Sequence, residues 1–135
     1  MNRRFNKWKK PTIRHGVSTR WHWVVWYPKK LTLGKNTDIG AFTCIFAHHG
    51  VEIGDNVQIG SHCAIYSLNT IENKKGKVTI GKNVRIGAHS TIMQGVTIGE
   101  GALIGAHSFV NKNIPARSTA FGVPARVVKR SAKKL

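Results

Sequence analysis

Between Ile80 and Val110 an aliphatic side chain returns at every sixth position, at Ile80, Ile86, Ile92, Ile98, Ile104 and Val110. Glycine follows it at Gly81, Gly87, Gly99 and Gly105, and four places after the aliphatic stands a small or β-branched residue: Val84, Ser90, Val96, Ala102 and Ser108. An α-helix repeats at 3.6 residues and a two-sided strand at two, so neither generates this pattern. A fixed six-residue repeat is the mark of a parallel β-helix, in which each hexad supplies one short strand and a corner and three hexads close a triangular coil. The aliphatic points into the prism. Asn83, His89 and His107, each three places after an aliphatic, occupy the corner position that asks for left-handed backbone, which Asn and His tolerate better than most residues.

The same phase runs upstream through Leu33, Ile39 and Ile45, then Ile53, Ile59 and Ile65, which with the two later coils makes about four. It breaks twice, both times at the third corner. Ile45 to Ile53 is eight residues, with FAHHG carrying His48 and His49; Ile65 to Ile80 is fifteen, with a polar loop centred on 68–77. Insertions in repeat proteins cluster on one face, often the binding face, so this corner is the expected functional one. Ahead of the hexads Trp21, Trp23, Val24, Val25, Trp26 and Tyr27 form an aromatic cluster that reads as the cap of the open prism end. The expected division is a basic arm and aromatic cap over 1–30, a repeat domain over 31–129 and a basic tail over 130–135. Residues 1–20 and the terminal SAKKL show no periodicity and are expected to be irregular.

Charge is unevenly spread over the +17 total: residues 1–30 hold nine Lys or Arg and 112–135 hold seven, neither with an acid, while the body holds six against five acids. Cationic ends attract polyanions, phosphorylated small molecules or an anionic membrane surface through peripheral contact. No run approaches the ~20 apolar residues of a membrane span, and no apolar signal core follows the basic start, so a cytoplasmic location is expected. In the hexad phase Cys63 points inward and Cys44 outward, which argues against a disulfide and for a reducing compartment.

The hexads, together with the ending NKNIPARSTAFGVPARVVKR, resemble the hexapeptide-repeat acyltransferases over about residues 31–129. That family includes galactoside and maltose O-acetyltransferases, serine acetyltransferase and N-acetyltransferases of nucleotide-linked amino sugars. The resemblance implies a left-handed coil, a homotrimer, and acetyl-CoA as co-substrate in the groove between neighbouring prisms. Carried over by position, Ala88 and Ala106 lie along the pantetheine, and Asn111, Lys112, Arg126 and Lys129 lie by the CoA nucleotide. The catalytic base implied is a histidine at the third corner, His49 first and His48 as the alternative. Galactoside enzymes place their base in the next coil's loop, and that loop has no histidine here. The γ-class carbonic anhydrases share the repeat, but no histidine pair here has their five-residue spacing, so no metal is expected.

The expected activity is therefore transfer of acetyl to a sugar, an amino sugar linked to a nucleotide for surface polysaccharide, with O-acetylation of a plain sugar as the alternative. From other classes stand a non-catalytic scaffold trimer and a polyanion-binding module using Arg3, Arg4, Lys7, Lys9, Lys10 and Trp8. The polyanion module leaves the two insertions at one corner unexplained, the scaffold predicts no thiol release from acetyl-CoA, and no nucleic-acid partner is expected.

Overall fold

The computed structural model describes residues 7–130. The expected roles of Arg3, Arg4 and SAKKL lie outside the described residues. The hexads form three flat faces of stacked short strands, the architecture of the left-handed parallel β-helix. The first face stacks Val24–Trp26, Cys44–Phe46, Ala64–Tyr66, Thr91–Ile92 and Phe109–Val110. The second stacks Leu31–Leu33, Val51–Ile53, Val78–Ile80 and Thr97–Ile98, extended by a bridge from Ile98 to Ile114. The third stacks Asp38–Ile39, Gln58–Ile59, Arg85–Ile86, Leu103–Ile104 and Ser118–Gly122. Four complete coils are thus flanked by partial ones, and the stack is about five coils high.

Register places like on like. Ile45, Ile65, Ile92 and Val110 align on the first face, Ile53, Ile80 and Ile98 on the second, and Ile59, Ile86 and Ile104 on the third. All ten are buried, none above 4% exposed. Each contributes about 1.5–3 kcal/mol of apolar burial, so these columns are the main source of stability.

The corners separate two reasons for a special residue. Asn36, Asn56, Asn83, His62, His89 and His107 all have φ between 56° and 62°, as their corner position demands. The glycine after each aliphatic is there for space instead: a Cβ on Gly87 would stand 2.5 Å from the Ala106 backbone nitrogen in the next coil. The coils cross there with no room for a methyl.

At the N-terminal end the aromatic cluster divides. Trp23 and Val25 point inward and are buried, covering the prism end, whereas Trp26 faces outward on a strand paired in parallel with Cys44–Phe46. The stacking therefore begins seven residues before Leu31, inside the segment read as arm and cap. Residues 7–20 lie across this end, tied by Gly16 N to Val25 O (2.8 Å), Thr19 N to Trp23 O (2.8 Å) and Trp8 Nε1 to Thr37 O (3.0 Å). The insertion at 68–77 is not a plain loop: Leu68–Asn69 and Lys74–Lys75 pair as an antiparallel hairpin. At the other end Ala125–Arg130 turns back antiparallel on Ser118–Gly122 and closes the third face. Among the described residues no helix is long and apolar enough to cross a membrane.

Candidate functional site

The two insertions meet at the third corner, between the first and second faces. Ser67, fully buried, locks them together: its hydroxyl donates to Phe46 O at 2.6 Å and accepts from His49 N at 2.9 Å. Ala47 is buried and its amide donates to Trp26 O at 3.0 Å, which fixes the corner from the coil below. With Ala47 inside, the two histidines turn to opposite sides.

His48 lies half-buried on the first-face side. Its ring packs 4.5 Å from Tyr27 and 6.3 Å from Phe46, centroid to centroid. Its Nδ1 is shielded from solvent and, among the described residues, has no hydrogen-bond partner. Burial lowers its pKa from the ordinary histidine value, with the nearby charges of His49, His15 and Lys30 acting the same way. Lys30 is held close, its Nζ donating to His48 O at 2.9 Å. The ring is therefore neutral at neutral pH. A neutral imidazole is the form a general base needs.

His49 is exposed on the second-face side, lining a shallow cavity of about 460 Å³ with Lys30, Thr32, Glu52 and Lys77. Lys77 and Glu52 form an ion pair across that cavity. The loop after Ile65 also supplies one wall on the first-face side. There Leu68, Thr70 and Ile71 of the hairpin overhang a cavity of about 660 Å³, floored by His48 and by an aromatic ladder. The ladder is Trp26, Phe46 and Tyr66, in register and stacked at 4.9 and 4.6 Å with planes within 8°. Met93 continues it in the next coil. Sequence reasoning missed the ladder, although a signal exists: a large apolar residue follows the inward aliphatic in Val25-Trp26, Ile45-Phe46, Ile65-Tyr66 and Ile92-Met93.

The residues expected to contact CoA fall elsewhere. Ala88 and Ala106 occupy the second corner in successive coils, and the Ala88 carbonyl accepts from His107 N at 2.9 Å. Arg126 and Lys129 are exposed on the final strand, opposite Phe121 and Thr119, with Phe121 packed against Gly105 next to Ala106. Asn111 and Lys112 are exposed across the first face, beyond Phe109–Val110. One chain thus places Ala106 and Arg126 at one corner, and Asn111 and Lys112 at another. His48 shares a corner with neither alanine. Beside the alanines, His62, His89 and His107 stack at 4.7 and 4.8 Å, prolonged by Phe42 and His22. Among the described residues no three His, Cys, Asp or Glu side chains are arranged to hold a metal. Burial raises the pKa of both thiols, so Cys44 and Cys63 are poor nucleophiles.

Two family models match the coils: the bacterial transferase hexapeptide (six repeats) over residues 77–112, and the hexapeptide repeat of succinyl-transferase over residues 30–66. The chain belongs to the hexapeptide-repeat family. Sequence comparison with curated proteins gives no match. Among solved structures, this hexapeptide-repeat protein is similar to a maltose O-acetyltransferase from Clostridium difficile 630, at 30% identity and TM-score 0.76 over 83% of this chain and 65% of that one. A galactoside acetyltransferase in complex with coenzyme A is 33% identical, TM-score 0.75, over 80% of this chain and 58% of that one. An N-acyltransferase variant from Bacillus cereus, in complex with dTDP-4-amino-4,6-dideoxyglucose and coenzyme A, is 25% identical, TM-score 0.71, over 85% and 80%. The chain spans less than two thirds of the length of the maltose and galactoside enzymes.

Proposed function

We propose that the chain is an acetyl-CoA-dependent acetyltransferase whose acceptor is a nucleotide-linked amino sugar destined for surface polysaccharide. The observation that carries this is His48: a neutral, half-buried imidazole whose ring lines the floor of an aromatic cavity. Sugar C–H faces and ring edges pack well on aromatic surface. The acceptor amine attacks the thioester carbonyl, His48 takes the proton the nitrogen sheds, the C–S bond breaks, and the protonated His48 returns that proton to the leaving thiolate. His49, exposed beside the Lys77–Glu52 pair, is the secondary candidate for the base. Ala88 and Ala106 fit the pantetheine because small side chains let a ligand reach the corner backbone, and Lys112, Arg126 and Lys129 supply cations for the CoA phosphates.

His48 and the alanine corner are separate on one prism, so we propose a homotrimer in which one chain's base faces its neighbour's CoA corner. A reducing cytoplasm fits two thiols pointing to opposite sides of one wall. The amino-sugar acceptor is favoured by the nucleotide-sugar complex of the Bacillus cereus enzyme, and O-acetylation of a plain sugar by the higher identity to the maltose and galactoside enzymes. The deciding assay is CoA thiol release from acetyl-CoA, with dTDP- and UDP-linked amino sugars in one set and free hydroxy-sugars in the other. Turnover with the first set only is expected. Turnover with free sugars only would replace the acceptor, and none with either would remove the acetyltransferase reading.

A further inference from the structure

A third cavity, of about 690 Å³, lies where the N-terminal arm crosses the start of the second face. Among the described residues its lining carries Lys10, Arg14, His15, Lys29 and Lys30 and no carboxylate. Its floor is apolar, from Ile13, Leu31 and Leu33, all three packed on the core. A cationic rim over an apolar floor is not explained by solubility, which exposed lysines supply without any cavity. It matches a ligand with concentrated negative charge joined to a flat, weakly polar ring.

This cavity adjoins the His48 site. Tyr27 lines it, and the Tyr27 ring stands 4.5 Å from that of His48, which lines the aromatic cavity. The wall is held in place: Tyr27 N donates to His15 Nδ1 at 2.9 Å, the two rings pack edge-on at 4.7 Å, and Lys30 Nζ binds His48 O at 2.9 Å. A ligand spanning both cavities therefore has an uncharged ring on the aromatic ladder and its anionic groups beyond the His48 and Tyr27 rings, among the cations.

We propose that the cleft between residues 10–15 and 27–33 is a nucleoside-diphosphate subsite, with Arg14 and Lys29 binding the phosphates and the Ile13–Leu31–Leu33 floor receiving the base. Resting on the amino-sugar reading above, it assigns the acceptor's nucleotide to the arm of the same chain. Arg14 offers the paired donors suited to phosphate oxygens, and Lys29 a mobile point charge.

The test is isothermal titration of the full chain with dTDP, in saturating CoA, on the parent protein and on Arg14→Ala, Lys29→Ala and the double variant. The expected result is one dTDP per chain, weakened about tenfold or more by each substitution, in line with a lost hydrogen bond to a charged group. Inorganic pyrophosphate binds through the same residues but more weakly, because the apolar floor goes unused. Lys74→Ala/Lys75→Ala, a charge-matched control on the hairpin, leaves binding unchanged, and thermal melts of all variants check the fold. Absence of dTDP binding to the parent overturns the proposal, as does its abolition by CoA, which would make the cleft the CoA nucleotide site. Equal weakening by the hairpin control would reduce it to net charge. Sedimentation with phosphatidylserine vesicles that needs Arg14 and Lys29, without dTDP binding, would give the cations to lipid headgroups instead. Because no turnover is read, dTDP binding by a protein inactive in thiol release leaves the subsite standing. Turnover without dTDP binding removes the subsite alone.

Discussion

Replacing Gly87 by alanine separates the two roles that glycine plays in these coils. The new Cβ would sit 2.5 Å from Ala106 N and 2.7 Å from Ala106 Cα, both backbone atoms that cannot swing aside. Ordinary contact begins near 3.4 Å, so the two coils must separate by about 0.9 Å, the difference between those distances. Two backbone hydrogen bonds bridge that gap, Gly87 N to Ile104 O at 2.8 Å and His107 N to Ala88 O at 2.9 Å. A shift of that size takes both past bonding range. At about 1 kcal/mol each, with about 1–3 kcal/mol for overpacking, Gly87→Ala costs about 3–5 kcal/mol, or roughly 10–20 °C in melting temperature. Gly95 is the control: its φ is +75° and, among the described residues, a Cβ there meets nothing within 4 Å. Gly95→Ala carries only the left-handed backbone cost of about 1–2 kcal/mol, and Gly95→Asn recovers most of it. Gly87→Asn recovers nothing. Thermal melts of the four variants decide the matter. Equal losses at both sites, with asparagine rescuing both, would show that backbone angle rather than coil spacing governs the glycine after the aliphatic. Gly87→Ala also displaces Ala88 and Ala106, so KM for acetyl-CoA should rise severalfold while KM for the acceptor stays.

Three further outcomes are expected. His48→Asn should lower kcat by about 10²–10⁴ with melting unchanged, and His49→Asn by less than about tenfold; the reverse order would move the base to the exposed side. Because burial lowers the His48 pKa, activity should hold as pH falls to the ordinary histidine range and decline only below it. The same group binds fewer protons folded than unfolded, so its contribution to stability is full above about pH 6.5 and lost as pH falls through the lowered value. Pairing kcat–pH profiles of the parent and His48→Asn checks this, since the acid limb belongs to His48 only if the variant lacks it. Ile65→Ala, cut from the middle of a buried column, should cost about 2–5 kcal/mol by chemical denaturation.

Most of the architecture was legible because a period of six constrains side-chain direction at every position. It fixed the inward columns, the positive-φ corners at Asn83, His89 and His107, and the corner that takes both insertions. Local pairing was not legible. Trp26 read as cap because it follows buried Trp23 and Val25, and only the parallel pairing of its strand with Cys44–Phe46 turns it outward onto Phe46. The 68–77 segment read as a polar loop because a two-residue pairing, Leu68–Asn69 on Lys74–Lys75, leaves no periodic trace. His48 and His49 are neighbours of the same type, so spacing cannot order them. Their divergence depends on buried Ala47 and on the Ser67 hydroxyl, a residue one coil away.

The reversed final strand has a consequence for growth. A stack of parallel coils is a filament in principle, since its last rung presents unpaired backbone to any similar rung. Here Ala125–Arg130 runs against the direction of every coil beneath it, so an incoming parallel coil finds the wrong polarity. The same strand exposes Val127 and Val128 between Arg126, Lys129 and Arg130, whose like charges repel a second copy arriving end-on. The third face therefore ends on an edge whose polarity and charge both disfavour continuation of the parallel stack by a second copy.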